Sequence, residues 1–151
     1  MTKISYNIED KGWIKHFPHF KKYIGKAVNE TLKQMDIKID EDIVVSIFLT
    51  SNKEITKLNN QYRNKNKPTN VLSFPMQSSS DGTYLLGDIV LSNQTLLEES
   101  IEQKVTRYDY LCKMTIHGML HLLGYNHNTE KQFKRMNKFE NIIFDNIKHL
   151  T

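Results

Sequence analysis

The chain reads as an α+β domain, a mixed sheet of three or four strands packed with helices, one helix being buried centrally. Three observations predict this. Apolar, β-branched runs at 42–50, 71–74 and 84–92 have the length and composition of strands. Around them, apolar residues recur three and four apart, the period of a helix face. No repeat, linker or like-charge block interrupts the 151 residues. Residues 1–151 are therefore expected to share one core, as chains of about 100 to 200 residues usually do.

Taken in order, residues 3–8 are the first candidate strand. A helix is expected over 18–35, because Phe20, Ile24, Ala27, Val28, Leu32 and Met35 share a face whose reverse is rich in Lys. Asp42–Thr50, DIVVSIFLT, is a buried-strand run. Ser51 and Glu54 have capping-box spacing, and Ile55, Leu58 and Tyr62 follow on one face, which predicts a helix from 52 to about 64. VLSF at 71–74 is strand-like and bounded by Pro75, and the polar QSSSDG that follows reads as a loop. YLLGDIVLS at 84–92 is a further strand, in which Gly87 marks a bulge or a close backbone approach. From about Asn93 one helical pattern reaches Gly124, its stripe running through Val105, Tyr108, Leu111, Cys112, Thr115, Met119 and Leu122. Thr129 and Gln132 supply another capping box, and Phe133, Met136, Phe139, Ile143, Ile147 and Leu150 form the stripe of the last helix.

The composition, 38% hydrophobic and 25% charged, is that of a chain able to build a core, and excludes collagenous or low-complexity classes. A single cysteine, Cys112, excludes an intramolecular disulfide and a zinc site of several thiolates. The N-terminus has no apolar core of a signal peptide, and no stretch approaches the roughly 18 apolar residues of a membrane span, so a cytoplasmic protein with no membrane partner is expected. A net charge of +4 is compatible with a phosphate backbone without requiring one. Only Arg63, Arg107 and Arg135 carry the forked guanidinium suited to phosphate.

Half of the six histidines fall within HGMLHLLGYNH at 117–127. Residues four apart on a helix sit one turn above each other, so His117 and His121 can share an ion. Gly124 can take the left-handed conformation that ends the helix, letting the chain double back and deliver His127. Three imidazoles leave one position of a tetrahedral zinc open, the mark of a catalytic rather than a structural site, although nickel, copper or cobalt would also accept them. His16, His19 and His149 read as ordinary structural or solvated histidines.

The spacing matches the zinc-protease helix His-Glu-x-x-His, but Gly118 stands where the protease needs its Glu to shuttle protons. That shifts the expected substrate from an amide toward a phosphodiester, which needs positive charge around its oxygens. Such charge lies in YRNKNKPTN at 62–70. Arg63 there reads equally as a phosphate clamp or as a cation at the negative end of a helix dipole, with Tyr62 or Phe74 available to stack on an unpaired base. Asp88, after Gly87, offers a carboxylate that could act as a base or orient a ligand, but a strand-edge Asp more often hydrogen-bonds locally, and it is left out of the expected site.

With these residues in view, the sequence resembles the YbeY family of bacterial endoribonucleases in three blocks: LNNQYRNKNKPTNVLSFP at 58–75, LGDIVLS at 86–92 and HGMLHLLGYNH at 117–127. The resemblance implies a zincin-like α+β fold and a metal-dependent, single-strand-specific endoribonuclease of ribosomal RNA maturation and ribosome quality control. It implies one zinc ion on His117, His121 and His127, Arg63 as the essential arginine of the groove, and single-stranded or ribosomal RNA or a ribosomal subunit as partner. The family usually has Asp where this chain has Asn126. The competing readings are a ribosome-associated RNA-binding assembly factor with a structural metal, and a zinc metalloprotease.

Overall fold

The computed structural model describes residues 1–148. Four strands, β1 (Thr2–Ile8), β2 (Asp42–Thr50), β3 (Val71–Ser80) and β4 (Thr83–Ser92), form one sheet in the order β1-β2-β4-β3. β1 with β2 and β2 with β4 are parallel, while β3 and β4 are antiparallel, so the sheet is mixed as expected. Its helices are α1 (Gly12–His16), α2 (Phe20–Gln34), α3 (Asn52–Arg63), α4 (Asn93–Glu102), α5 (Arg107–Leu122) and α6 (Glu130–Ile147).

One face of the sheet, with Val45, Ile47, Leu49, Ile89 and Leu91, is buried with α2 and α5 residues such as Ile24, Val28, Leu111 and Met119. A second apolar cluster, including Ala27, Ile116, Leu120, Met136 and Ile143, joins α2, α5 and α6. Helix α5 therefore touches both the sheet and its neighbouring helices, and nine of its residues are buried, as the broad stripe predicts. On the reverse face of the sheet, Ile55 of α3 meets Leu72 and Val90.

The structure corrects the sequence reading in four places. The short α1 is unpredicted; Trp13 buries it, its indole N–H donating to Thr50 O at 3.0 Å. QSSS is not loop: β3 runs on through Pro75, which lies on an edge strand where no ladder donor is required, to Ser80. The hairpin closes at Asp81-Gly82, both with positive φ, in the manner of a two-residue primed turn. The single helix from Asn93 is two helices. Lys104 takes a left-handed φ of 58° and Thr106 caps α5 by accepting from Asp109 N–H at 3.1 Å. Phe133, assigned to the core stripe of α6, is exposed. The expected capping box at Thr129 and Gln132 is present in full. Leu150 and His149 lie outside the described residues.

Candidate metal centre and groove

Helix α5 carries His117 and His121 one turn apart, and both line a groove of about 800 Å³ whose opposite wall is the end of α3 and the first half of β3. The helix stops in a Schellman motif: Gly124 N–H donates to His121 O and Tyr125 N–H to Leu120 O, each at 3.0 Å. Gly124, at φ 98°, supplies the left-handed conformation this requires. The turn brings His127 back, its ring centroid 5.4 Å from that of His117 and 5.0 Å from that of His121. One ring nitrogen from each of the three lies within 4.8 Å of the others.

The donor set fits a metal ion. His117 Nδ1 sits 2.7 Å from Glu140 Oε1, and His121 Nδ1 sits 2.9 Å from the Tyr125 carbonyl. Both partners are acceptors, so each Nδ1 is the donor, and in the neutral imidazole each Nε2 is left as the lone-pair atom. The two Nε2 atoms face each other at 3.1 Å, so with both rings neutral two lone pairs converge on one point, the arrangement a shared cation would satisfy. Burial, with help from His117 and His127, lowers the His121 pKa to about 4, so this imidazole is neutral near pH 7 and able to ligate. Glu140 completes a carboxylate–histidine pair of the kind that fixes a ligand's tautomer and raises its basicity. Sequence reasoning missed it. The available signal was an acid at the margin of the α6 stripe, four residues past Met136 and three before Ile143.

The facing wall is cationic. Arg63 is the last residue of α3, ended by left-handed Asn64 at φ 55°. Its side chain lines the same groove as the three imidazoles and forms no ion pair among the described residues. Tyr62 and Phe74 meet edge-on beside it, ring centroids 5.0 Å apart. The basic loop is tied at both ends. Asn59 Nδ2 donates to Lys67 O at 2.9 Å, and Asn70 Nδ2 donates at 2.9 Å to Glu99 Oε1, which also accepts from Tyr110 OH at 2.7 Å. Among the described residues no Asp or Glu lines the groove. Asp88 lies outside it, opposite Phe74 in the β3–β4 ladder, its carboxyl pKa raised by burial. Arg107 is occupied elsewhere, donating to His16 O at 3.0 Å.

Gly118 has a second role that sequence reading did not supply. A Cβ there would sit 3.2 Å from both Ile89 Cγ2 and Ser73 Oγ, so α5 lies close enough to the sheet that even a methyl group at 118 would press on these two side chains. Ser73 Oγ fastens this approach by donating to Gly118 O at 3.2 Å.

A mixed sheet crossed by a buried helix, with His-x-x-x-His on that helix and a third His after its glycine stop, defines a zincin-like α+β protein of the three-histidine kind. The particular family follows from comparison: the family model for endoribonuclease YbeY matches residues 6–148, and the chain belongs to this family. Among relatives named endoribonuclease YbeY, that of Dichelobacter nodosus is 46% identical over 71% of this chain and 70% of its own length. That of Pelagibacter ubique is 41% identical over 89% of this chain and 80% of its own. The solution structure of TM1509 from Thermotoga maritima superposes with a TM-score of 0.56 at 27% identity, covering 97% of this chain and 93% of the other.

Proposed function

We propose that this protein, as a single domain over residues 1–151, is a metal-dependent endoribonuclease that cuts single-stranded RNA. Its substrate would be ribosomal RNA, in maturation and quality control of the ribosome in the cytoplasm. The observation that carries the reading is the composition of one groove: three convergent imidazoles on one wall, Arg63 on the other, and no carboxylate lining it among the described residues. A polyanion is attracted by such a surface, whereas cutting a peptide would also need a carboxylate to shuttle protons, which the groove lining lacks among the described residues. Family membership supports the same activity.

In this reading His117, His121 and His127 would hold one zinc ion, and Glu140 and the Tyr125 carbonyl keep the first two oriented. A zinc ion so held supplies Lewis acidity and activates water near neutral pH. Arg63 grips the phosphoryl oxygens of the bond to be cut and stabilises the charge that builds there. Tyr62 and Phe74 offer ring faces and edges to an unpaired base, which a base inside a duplex cannot reach. Gly118 leaves the site without the proton-shuttling Glu of the metalloproteases.

The test is an assay of the purified protein on single-stranded RNA, duplex RNA and casein, each with and without chelator. Cleavage of the single strand alone, lost with chelator, is expected. Casein cleavage would favour a protease, and RNA binding without cleavage would favour an assembly factor.

A further inference from the structure

Behind the turn that ends α5 lies a second cavity of about 310 Å³, lined by Leu123, Gly124, Tyr125, Asn126, Gln132 and Arg135. Three of these, Gly124, Tyr125 and Asn126, also line the metal groove, so the two cavities share one wall. The guanidinium of Arg135 is seated over two rings, 5.5 Å from the Tyr125 centroid and 5.9 Å from that of Phe139. It forms no ion pair with any carboxylate among the described residues. Ring contacts hold its plane while leaving its N–H donors unspent, a state that suits capture of an anion. The neighbouring charge has a different fate: Lys134, one residue away, is paired to Glu130 at 3.2 Å on the surface of the helix.

We propose that this cavity is a second phosphate subsite of the RNA path, in which Arg135 binds a backbone phosphate flanking the one held by Arg63. The inference rests on the reading of the main groove as an RNA site. The strand crosses the 124–126 turn, with Arg63 of α3 engaging it in the main groove and Arg135 of α6 beyond the turn. Tyr125 joins the two cavities physically, because its ring lies under Arg135 while its carbonyl oxygen accepts from His121 Nδ1. Gln132 and Asn126 add side-chain amides to the same cavity wall. The subsite is sequence-blind, since a guanidinium on phosphate oxygens reads no base.

The experiment measures the affinity of the intact, metal-loaded protein for a fluorescein-labelled, phosphorothioate-linked 2′-O-methyl dodecamer without secondary structure, across a range of salt. Arg135→Gln should weaken binding about tenfold, the scale of a hydrogen bond to a charged group, and reduce the slope of log K against log salt by about 0.7, one single-strand phosphate contact. Lys134→Gln, the same charge change outside the cavity, should leave both unaltered. Arg135→Lys should keep the slope, and it carries the test should the Gln variant unfold. A slope unchanged in Arg135→Gln but reduced in Arg63→Gln would overturn the subsite and leave the RNA groove standing. Equal losses in the Arg135 and Lys134 variants would assign the effect to net charge and also overturn it. No binding of the dodecamer by the parent protein would defeat the RNA reading itself.

Discussion

The two walls of the groove are built on different principles. The histidine wall is anchored on the core: α5 is largely buried, and its partly buried His117 and His121 are each oriented by a second contact, to Glu140 and to the Tyr125 carbonyl, while His127 beyond the turn is exposed. The opposite wall is solvent-facing, with Tyr62 60% exposed and the basic residues Arg63, Lys65 and Lys67 on a helix end and a loop. A metal site needs fixed distances, and burial with paired hydrogen bonds supplies them at the cost of tolerance to change. A site for a flexible polyanion needs charge within reach, which exposed side chains on a tethered loop provide. Disruption of the first wall should therefore remove the metal, while disruption of the second should alter cleavage and leave metal and fold intact.

The largest expected effect tests the first wall directly. His121→Ala should release most of the metal, since two imidazoles compete poorly with buffer, and cleavage of RNA should fall to background. Elemental analysis of protein purified without added metal measures it, and full occupancy in the variant would remove these residues from the site.

Next in size is the second wall. Arg63→Lys preserves charge but replaces a planar fork with a point charge. RNA cleavage should drop about tenfold or more, each tenfold being about 1.4 kcal/mol of transition-state stabilisation. Metal content and melting temperature should match the parent. Near-normal cleavage would reduce Arg63 to a partner of its helix dipole, and lost metal would erase the contrast between the walls.

The support behind His117 sharpens the comparison. Glu140→Gln keeps the shape and an acceptor but removes the charge, and metal affinity should weaken about tenfold, the lower range for losing such a partner. A competition titration against a chromogenic chelator reads this without any assay of activity. Unchanged affinity would make Glu140 a bystander.

The smallest effect concerns how closely α5 meets the sheet. Gly118→Ala gains up to about 1 kcal/mol of helix propensity, but crowds Ile89 and Ser73, where overpacking typically costs about 1 to 3 kcal/mol. A net loss near 1 kcal/mol is expected in urea unfolding, and a stabilised variant would show that the contact yields easily.

Features fixed by near neighbours were legible in the sequence. The i,i+4 pair of histidines, the glycine that ends their helix, the Thr129 capping box and the apolar runs of β2 and β4 all depend on geometry spanning a few residues. The errors arose where a local signal was absent or disguised. Lys104 occupies a left-handed helix stop usually given to Gly, so the break between α4 and α5 carried no glycine to mark it. The serines of β3 have no apolar alternation, and they become strand by pairing with Thr83, Tyr84 and Leu85.

Tertiary structure alone decided the remainder. Glu140 is 23 residues from the histidine it orients, and α5 and α6 must fold against each other before the two can meet. Arg63 joins the site because α3 and β3 form the far wall of the groove, an adjacency that no periodicity encodes. Gly118 stands where a protease has its catalytic Glu, and only the sheet beneath it reveals that a Cβ at this position would press on Ile89 and Ser73. Local spacing determines which atoms can converge on one helix turn, whereas residues distant in sequence are brought together only by the packing of whole elements.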